Sequence, residues 1–287
     1  MKKYITLFAI ILAIPNLNAQ FVGDGSSSNP YQIRNKTELE NLADSVNTID
    51  NWSSGIHFKV MNNITAPVTK VIGTPLRPFQ GNFNGQGYTI NLAIDKPSDE
   101  YVGLFGNVYY ALIENVIIRG FVNGGQAVGG IVGYSRNLTI KNCINTGTVY
   151  GNLVVGAIVG LLSFSSTTTD CINTGNITGN GDVGGIVGII YNYSLIENCI
   201  NVGSIYGISQ TLTDFEDHIG GIAGCIWNNS VISHCANYGH IRGNFGAGGI
   251  VRHLGDESIT TIKSSFNVGV VEGPEIGTGA IIGSESD

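Results

Sequence analysis

A glycine-rich block recurs seven times after residue 100, and no other feature restricts the possible folds as strongly. Measured from start to start, the units are 26, 27, 28, 36, 28 and 31 residues long. A period of this length is typical of solenoids and other repeat architectures, in which each unit packs on its neighbours. The seven copies are VGLFG (102–106), VGGIVG (128–133), VGAIVG (155–160), VGGIVG (183–188), IGGIAG (219–224), AGGIVR (247–252) and TGAIIG (278–283).

Each unit contains three short β-type pieces: the glycine block, a piece such as LTIKNC (138–143), and a piece such as TVYG (148–151). Three such strands would make one turn of a three-sided coil, bonded to the turns above and below at a spacing of about 4.8 Å. A β-propeller needs four strands and about 40 residues per blade. No proline falls between Pro97 and Pro274, as an unbroken ladder of N–H donors requires. We therefore predict an all-β fold, a right-handed three-sided parallel β-helix.

The composition supports this fold class and narrows the choice of partners. Forty-one glycines with only 12% charged residues are unusual for a globular enzyme, and 43% hydrophobic residues are too many for a disordered chain. The net charge of −7 disfavours binding to nucleic acid or to an anionic membrane surface. We expect an extracellular glycan or a protein surface as partner, with no nucleic acid and no membrane span.

The first 19 residues have the layout of a secretory signal peptide. Lys2 and Lys3 form the positively charged start, Tyr4 to Ile14 form an apolar run, and a small-residue cleavage site precedes Gln20. The apolar run is too short to span a membrane, and no later segment reaches the length of a transmembrane helix. The sequence therefore predicts a chain that is secreted or displayed on the outer cell surface.

Residues 20–100 differ from the repeats of 101–287 and predict a capping region for the N-terminal end of the solenoid. Such ends expose unpaired strand edges and need a cover. Thr37 and Glu40 have the spacing of a capping box, which predicts a helix over 37–47 with Thr37 as its N-cap. Apolar residues at helical spacing predict the buried face of that helix: Leu39, Leu42, Ala43 and Val46.

Cysteine and asparagine recur once per unit, as in NCINTG (142–147). Cysteine ligands of zinc usually come in close pairs, and these cysteines are not paired in this way. We therefore interpret the cysteines as an interior column of thiols. A disulfide between neighbouring turns stays open as an alternative. The asparagines, each two residues before a glycine, predict a left-handed corner and a ladder of amides bonded from turn to turn. The cysteines are Cys143, Cys171, Cys199 and Cys235, with Cys225 outside the column, and the asparagines are Asn145, Asn173, Asn201, Asn237 and Asn267.

Functional residues are expected where a unit departs from the template. The fourth unit is the longest because it contains ISQTLTDFEDH (208–218). Three acidic residues of this segment are calcium candidates, set against the plainer interpretation of a solvated acidic loop: Asp214, Glu216 and Asp217.

The sixth unit breaks its glycine block with Arg252-His253 and continues with Asp256-Glu257. A cation beside carboxylates is what a polysaccharide lyase or hydrolase on a β-helix would need. Adjacent acids on a strand point to opposite faces, however, so exposed polar residues near the end of the solenoid are the better interpretation.

Aromatic residues mark the corner that follows the glycine block. Rings one turn apart could form a flat platform for sugar rings or for a partner protein. The alternative is that they cover the apolar corner of the solenoid. The candidate ligand-binding residues are Tyr109, Tyr191, Tyr193 and Trp227, with Phe164 nearby.

The repeated V-G-G-I-V-G blocks, each followed by I-x-N-C and x-N-x-G, resemble the GLUG motif repeats of bacterial secreted and surface proteins. The leading segment is similar to the one that commonly precedes such repeats, and PFQGNFNGQGYTI (78–90) resembles its hairpin. That hairpin usually carries aspartate and histidine where this chain has Asn84 and Tyr88. The resemblance implies a β-solenoid on an exported, often adhesive protein.

We expect a non-enzymatic, adhesin-like protein that presents its solenoid to a glycan or protein ligand. The sequence contains no H-E-x-x-H zinc motif and no G-x-S-x-G nucleophile elbow, and calcium is the only cofactor that it suggests. Two alternatives stay open. One is a carbohydrate-active enzyme on the same fold. The other is a structural repeat module of a larger surface assembly, because the chain stops at GSESD soon after its last glycine block.

Overall fold

The turns of the chain stack as a parallel β-solenoid, as the repeat predicts. The computed structural model describes residues 21–209, 218–255, 259–274 and 277–285. These residues contain one α-helix, Lys36–Thr48, and 36 strands that pair in parallel between turns. Four sheets run along the solenoid, and each repeat turn contributes to all of them.

The strands of each sheet occupy one position in successive turns. Sheet 1 contains the first strand of each glycine block: Tyr101–Val102, Ala127–Gly129, Val154–Gly156, Asp182–Gly184, Ile219–Gly220, Ala247–Gly248 and Thr278–Gly279. Sheet 2 contains the second: Phe105–Tyr109, Val132–Arg136, Val159–Ser163, Val187–Ile190, Ala223–Ile226, Val251–Leu254 and Ile282–Glu285. Sheet 3 contains Tyr31–Ile33, His57–Val60, Asn82–Asn84, Leu112–Glu114, Thr139–Lys141, Thr167–Thr169, Leu195–Glu197, Val231–Ser233 and Thr261–Lys263. Sheet 4 contains Ile64–Val68, Thr89–Lys96, Ile117–Gly124, Ile144–Asn145, Thr148–Tyr150, Ile172–Asn173, Ile177–Gly179, Ile200–Asn201, Ile205–Gly207, Ala236–Asn237, Ile241–Arg242, Phe266–Asn267 and Val271–Glu272.

A repeat turn holds five short strands where three pieces were predicted. The glycine block bends and divides into two strands, Ala127–Gly129 and Val132–Arg136 in the second unit. The asparagine segment makes a further strand, Ile144–Asn145. Glycine permits the bend because a Cβ on Gly130 would lie 2.4 Å from the carbonyl oxygen of Ala157 in the next turn.

Equivalent residues of successive turns lie above one another. Val128 pairs with Val155, Val155 with Val183, and Val183 with Ile219. All four side chains are fully buried. Columns of valine and isoleucine therefore fill the interior of the repeats, and their burial is the main apolar contribution to stability.

The residues before 101 enter the same solenoid. Strands Tyr31–Ile33, His57–Val60 and Asn82–Asn84 begin sheet 3, which continues directly into Leu112–Glu114. Aromatic rings fill the interior of these first turns, with neighbouring centroids 4.8 to 6.4 Å apart: Phe21, Tyr31, Trp52, Phe58, Phe79, Phe83 and Phe105.

Segment 78–90 is not the hairpin that the family resemblance implied. Its strands, Asn82–Asn84 and Thr89–Lys96, lie in different sheets, and each pairs in parallel with neighbouring turns. Gln86 and Gly87 have φ values of 54° and 75° and turn the chain through the corner between sheets 3 and 4. A two-stranded hairpin would leave both strands without their partners in the adjacent turns.

The helix begins at Lys36, and its N-cap is Asn35 instead of the predicted Thr37. Asn35 Oδ1 accepts a hydrogen bond from the N–H of Glu38 at 3.0 Å, and Glu38 Oε2 accepts one from the N–H of Arg34 at 2.7 Å. Asn35 and Glu38 have the same spacing as Thr37 and Glu40, so the cap lies two residues earlier than predicted, but Glu38 reaches back to the residue before the N-cap and not to the N-cap itself. The predicted buried face is confirmed: Leu39, Leu42, Ala43 and Val46.

Asn35→Ala is expected to lower the free energy of unfolding by about 1 kcal/mol, because the Glu38 N–H loses its acceptor. Thr37→Ala, at an exposed position inside the helix, is the matched control and should cost less than about 0.5 kcal/mol. Urea unfolding followed by circular dichroism measures both. A larger loss for Thr37→Ala than for Asn35→Ala would contradict the assigned cap.

Candidate functional site

The repeated asparagines form one continuous hydrogen-bonded ladder. Nδ2 of Asn145 donates to Oδ1 of Asn173 at 2.8 Å, and each later step, through Asn201 and Asn237 to Asn267, measures 2.7 Å. A second bond from each Nδ2 reaches the carbonyl oxygen two residues ahead in the chain. The side chains from Asn145 to Asn237 are fully buried, so the ladder keeps polar groups paired inside the core.

The glycine block makes room for this ladder. A Cβ on Gly185 would lie 2.5 Å from Cγ of Asn201, and a Cβ on Gly221 would lie 2.7 Å from Cγ of Asn237. Only glycine lets the backbone approach the amides this closely. The glycine pair of each block therefore packs directly against the asparagine of the N-x-G motif.

The left-handed corner lies at a different residue from the one predicted. The ladder asparagines stand in extended strands, which direct their amides toward the adjacent turns. The chain instead turns at the residue before each cysteine and before the serine that takes its place. Polar side chains occupy this corner, with φ between 49° and 54°: Asn142, Asp170, Asn198, His234 and Ser264.

The four column cysteines are buried, and all are free thiols. Each Sγ donates to the carbonyl oxygen two residues earlier at 3.2 Å, and Ser265 Oγ makes the same bond to Lys263 at 3.0 Å. Burial raises the pKa of the Cys143 and Cys199 thiols well above the ordinary value, so they stay protonated. The geometry is that of a structural column that accepts serine.

Serines form a second polar stack, which the sequence analysis did not predict. The N–H of Ser166 donates to Oγ of Ser194, and the N–H of Ser194 donates to Oγ of Ser230, both at 3.2 Å. All three serines are buried. Their spacing of 28 and 36 residues equals that of Cys171, Cys199 and Cys235, and this shared spacing is the signal that would have revealed them.

Asn201→Ala is expected to lower the free energy of unfolding by roughly 1–3 kcal/mol, because Asn173 and Asn237 each lose a buried hydrogen bond. Asn180→Ala is the matched control: its amide bonds to Asn152 across one turn in the same way, but at the exposed surface. Chemical unfolding of both variants compares the two losses. An equal and small effect in both would argue against the ladder as a stabilising element.

Titration of the denatured, unreduced chain is expected to find five thiols, because all five cysteines are free. The native chain should react much more slowly, since the column thiols are buried and the reagent cannot reach them. A chromogenic disulfide reagent measures both rates. Fewer than five thiols in the denatured chain would show that a disulfide joins two turns.

The aromatic candidates do not form one row. Tyr109, Tyr191 and Trp227 are half-buried, whereas Tyr193 is 68% exposed. Two turns, which carry Arg136 and Ser163 at the equivalent position, separate Tyr109 from Tyr191. Among these candidates, only Tyr191 and Trp227 therefore have the predicted arrangement of rings in successive turns. The N–H of Trp227 donates to the carbonyl oxygen of Ile190, the residue before Tyr191.

Tyr109 belongs instead to a cluster around Arg136. Arg136 Cζ lies 5.4 Å from the ring centre of Tyr109, 5.6 Å from that of Tyr134 and 4.7 Å from that of Phe164. Its Nε donates to Oη of Tyr134 at 2.6 Å, and Tyr134 stacks on Tyr101 with ring centres 4.9 Å apart. Cation–π contacts on three rings hold the exposed guanidinium in place.

The corner between sheets 2 and 3 presents large rings on a left-handed backbone. Tyr110, Phe164 and Tyr193 have φ values of 49°, 52° and 60°, and their side chains are 73%, 43% and 68% exposed. A bulky residue in this backbone region is unusual and costs roughly 1 kcal/mol or more. We name this corner the aromatic corner and define it by its residues with positive φ: Tyr110, Asn137, Phe164, Ser165, Asn192, Tyr193, Asn228 and Asn229.

Asparagine fills the same corner in other turns, at the same kind of φ, and tolerates it without this cost. The chain therefore keeps exposed rings on a backbone conformation that asparagine adopts at lower cost. The spacing of the repeats singles out Tyr109 and not Tyr110, although the two tyrosines are adjacent in the sequence.

Arg252 is 6% exposed and lies inside the sixth unit, where it replaces a glycine. Glycines provide its space: a Cβ on Gly246 would lie 2.5 Å from Arg252 Nε, and one on Gly277 would lie 2.7 Å from an Arg252 Nη. The remaining predicted features lie outside the described residues: the signal peptide of 1–19, the calcium candidates Asp214, Glu216 and Asp217, and the acids Asp256 and Glu257.

The GLUG motif matches residues 124–150. In the structure these residues make one turn of the solenoid, from Gly124 at the end of one sheet 4 strand to Tyr150 in the next turn of sheet 4. The fold is that of the parallel β-solenoids. The chain carries a GLUG motif at residues 124–150 on this fold, which confirms the resemblance seen in the sequence.

Two relatives share part of the sequence. Halomucin of Haloquadratum walsbyi is 30% identical over 127 residues, which is 41% of this chain and 1% of halomucin. A protein of Evansella cellulosilytica, described as a Gly-rich membrane protein, is 29% identical over 108 residues, 34% of this chain and 12% of that protein. The match thus spans a small part of either relative. In the part of this chain that the structure describes, no helix is long and apolar enough to cross a membrane.

Two solved structures share the fold. One, described as an immunoglobulin A1 protease from Bacteroides ovatus, aligns with a TM-score of 0.68 and 22% identity over 88% of this chain and 79% of that chain. The other, described as an IgA1 protease, aligns with a TM-score of 0.66 and 15% identity over 95% of this chain and 21% of that chain. At these identities the similarity concerns the solenoid alone.

Proposed function

We propose that this chain is a non-enzymatic, adhesin-like protein, secreted or displayed on the cell surface, that binds glycans along its aromatic corner. The observation that carries the proposal is the set of exposed rings held on a costly left-handed backbone. Outliers of this kind cluster at binding sites, where function offsets the cost. The signal-peptide pattern of residues 1–19 and the relative described as a membrane protein support the location.

The chemistry of the corner suits a sugar. Exposed rings offer flat apolar faces, and the corner asparagines between them offer amide donors and acceptors for hydroxyl groups. Asn228 Nδ2 already donates to Asn192 Oδ1 at 3.0 Å, which orients both amides along the corner. Arg136, held beside Phe164, adds a cation that favours an acidic sugar. A protein partner is the alternative ligand.

The enzymatic alternative has less support. A polysaccharide lyase or hydrolase needs carboxylates and a cation on one accessible face. Arg252 is the cation that the sequence offers for that role, and its burial among glycines favours packing as its function. The similarity to proteases rests on the fold alone, and folds do not specify chemistry.

The triple variant Tyr110→Asn, Phe164→Asn and Tyr193→Asn is expected to weaken glycan binding by about tenfold or more. Its melting temperature should equal or exceed that of the parent chain, because asparagine suits this backbone. Glycan-array screening selects the ligand, and calorimetry measures the affinities. Loss of binding together with an unchanged or higher melting temperature separates a binding role from a structural one.

Tyr150→Thr is the matched control, since Tyr150 is 42% exposed on sheet 4 and pairs with Thr178. It should bind like the parent chain. The proposal fails if the parent chain binds no glycan, or if the triple variant keeps its affinity within about twofold. Release of reducing ends or unsaturated products from the bound glycan would instead favour the enzyme.

A further inference from the structure

Three side chains with metal-ligating atoms meet in the middle of the solenoid, away from the aromatic corner. Asp182 begins the strand Asp182–Gly184 of sheet 1, and Cys225 lies in Ala223–Ile226 of sheet 2. His218 directly precedes Ile219, which pairs with Val183, so His218 lies one turn below Asp182. Their ligand atoms all lie within 4.8 Å of one another, a grouping of His, Cys and acidic residues found once in the described part of the chain.

The three atoms form a closed triangle. Asp182 Oδ1 lies 2.5 Å from His218 Nδ1, Cys225 Sγ lies 2.9 Å from the same nitrogen, and Sγ lies 3.1 Å from Oδ1. A catalytic Cys–His–Asp group would use the two ring nitrogens separately, one for the thiol and one for the carboxylate. Both groups here meet at Nδ1, so the arrangement is not a proton relay.

The triangle matches the ligand set of a zinc-class ion. Bonds of about 2.0–2.3 Å to oxygen, nitrogen and sulfur would separate the ligand atoms by about 3.3–3.6 Å at a tetrahedral centre. The present separations need to grow by roughly 0.5–0.8 Å, which small side-chain rotations supply. A mixed sulfur, nitrogen and oxygen set favours zinc, whereas calcium takes oxygen ligands.

The cluster also differs from the turns that directly precede its members. Asp182 pairs with Val154 of the preceding turn, and Cys225 pairs with Ile189 of its preceding turn. In the turn just before each of these residues the same column holds an aliphatic side chain, and the ligating residues come from two adjacent turns of the solenoid.

The surroundings suit a partly enclosed ion. Cys225 is fully buried, while Asp182 and His218 are half-buried and face solvent in part. In the next turn, His253 pairs with Cys225. The ring of His253 stacks on the ring of His218, with the ring centres 4.6 Å apart. The ring of Trp227 lies 5.3 Å from that of His253. These rings limit the movement of His218.

We propose that Asp182, His218 and Cys225 bind one transition-metal ion of the zinc class. The ligand atoms are a carboxylate oxygen of Asp182, Nδ1 of His218 and Sγ of Cys225, and a water molecule or another group completes the coordination. Binding displaces the thiol proton to solvent and ties two turns together beside the longest unit. The ion stabilises the folded chain by mass action, and this role is separate from glycan binding.

The untagged full chain, kept reduced and treated with a chelator, is titrated with zinc alone in competition with a chromogenic chelator. One equivalent is expected to bind and to raise the melting temperature. Cobalt, used as a spectroscopic probe, should give a thiolate-to-metal charge-transfer band in the near ultraviolet. No saturable zinc binding, or binding without a cobalt–thiolate band, would overturn the proposal.

Cys225→Ser and Asp182→Asn are each expected to weaken zinc affinity by about tenfold or more, and Cys225→Ser should also lose the cobalt band. Cys235→Ser is the matched control, because Ser265 already fills the equivalent place in the next turn and makes the same hydrogen bond. It should bind zinc like the parent chain. Unchanged affinity in folded Asp182→Asn, or an equal loss in Cys235→Ser, would contradict the assignment.

Discussion

Hydrogen bonding between successive turns is the constraint on which the rest of this structure depends. A strand of two or three residues has no partner within its own turn, so its N–H and C=O groups must bond to the turns above and below. Val155 illustrates this by pairing with both Val128 and Val183. The same requirement explains the proline-free stretch from Pro97 to Pro274, because a proline in any inner strand would remove a donor from the ladder.

Stacking then decides which side chains the interior accepts. A residue that repeats once per turn meets copies of itself, so it must be apolar or able to pair with its own kind. An amide both donates and accepts, which is why Asn173 can bond to Asn145 and Asn201 at once. A carboxylate in that column would repel the next one. Free thiols and serine hydroxyls meet the condition in their own columns, each bonded to backbone atoms.

Local patterns predicted the existence of features better than their positions. Asn35 with Glu38 and Thr37 with Glu40 have the same three-residue spacing in the sequence, and the contacts of Glu38 with Arg34 favour the cap at Asn35. Asn142 and Asn145 are equally suited to a left-handed corner. The requirement that Asn145 face the adjacent amide assigns the corner to Asn142. Such choices depend on which way the chain turns in space, and spacing along the chain does not carry that information.

The sequence by itself determined the period, the parallel stacking and the columns, because a residue repeated in register must lie above its own copy. The ladder from Asn145 to Asn267 was predictable for this reason. Only the tertiary structure brought together Asp182, His218 and Cys225, which occupy different columns and follow no metal-binding spacing. It also decided that the rings of Tyr110 and Phe164 are exposed while Arg252 is buried. Distances between columns depend on the shape of each turn, and a repeat period does not specify that shape.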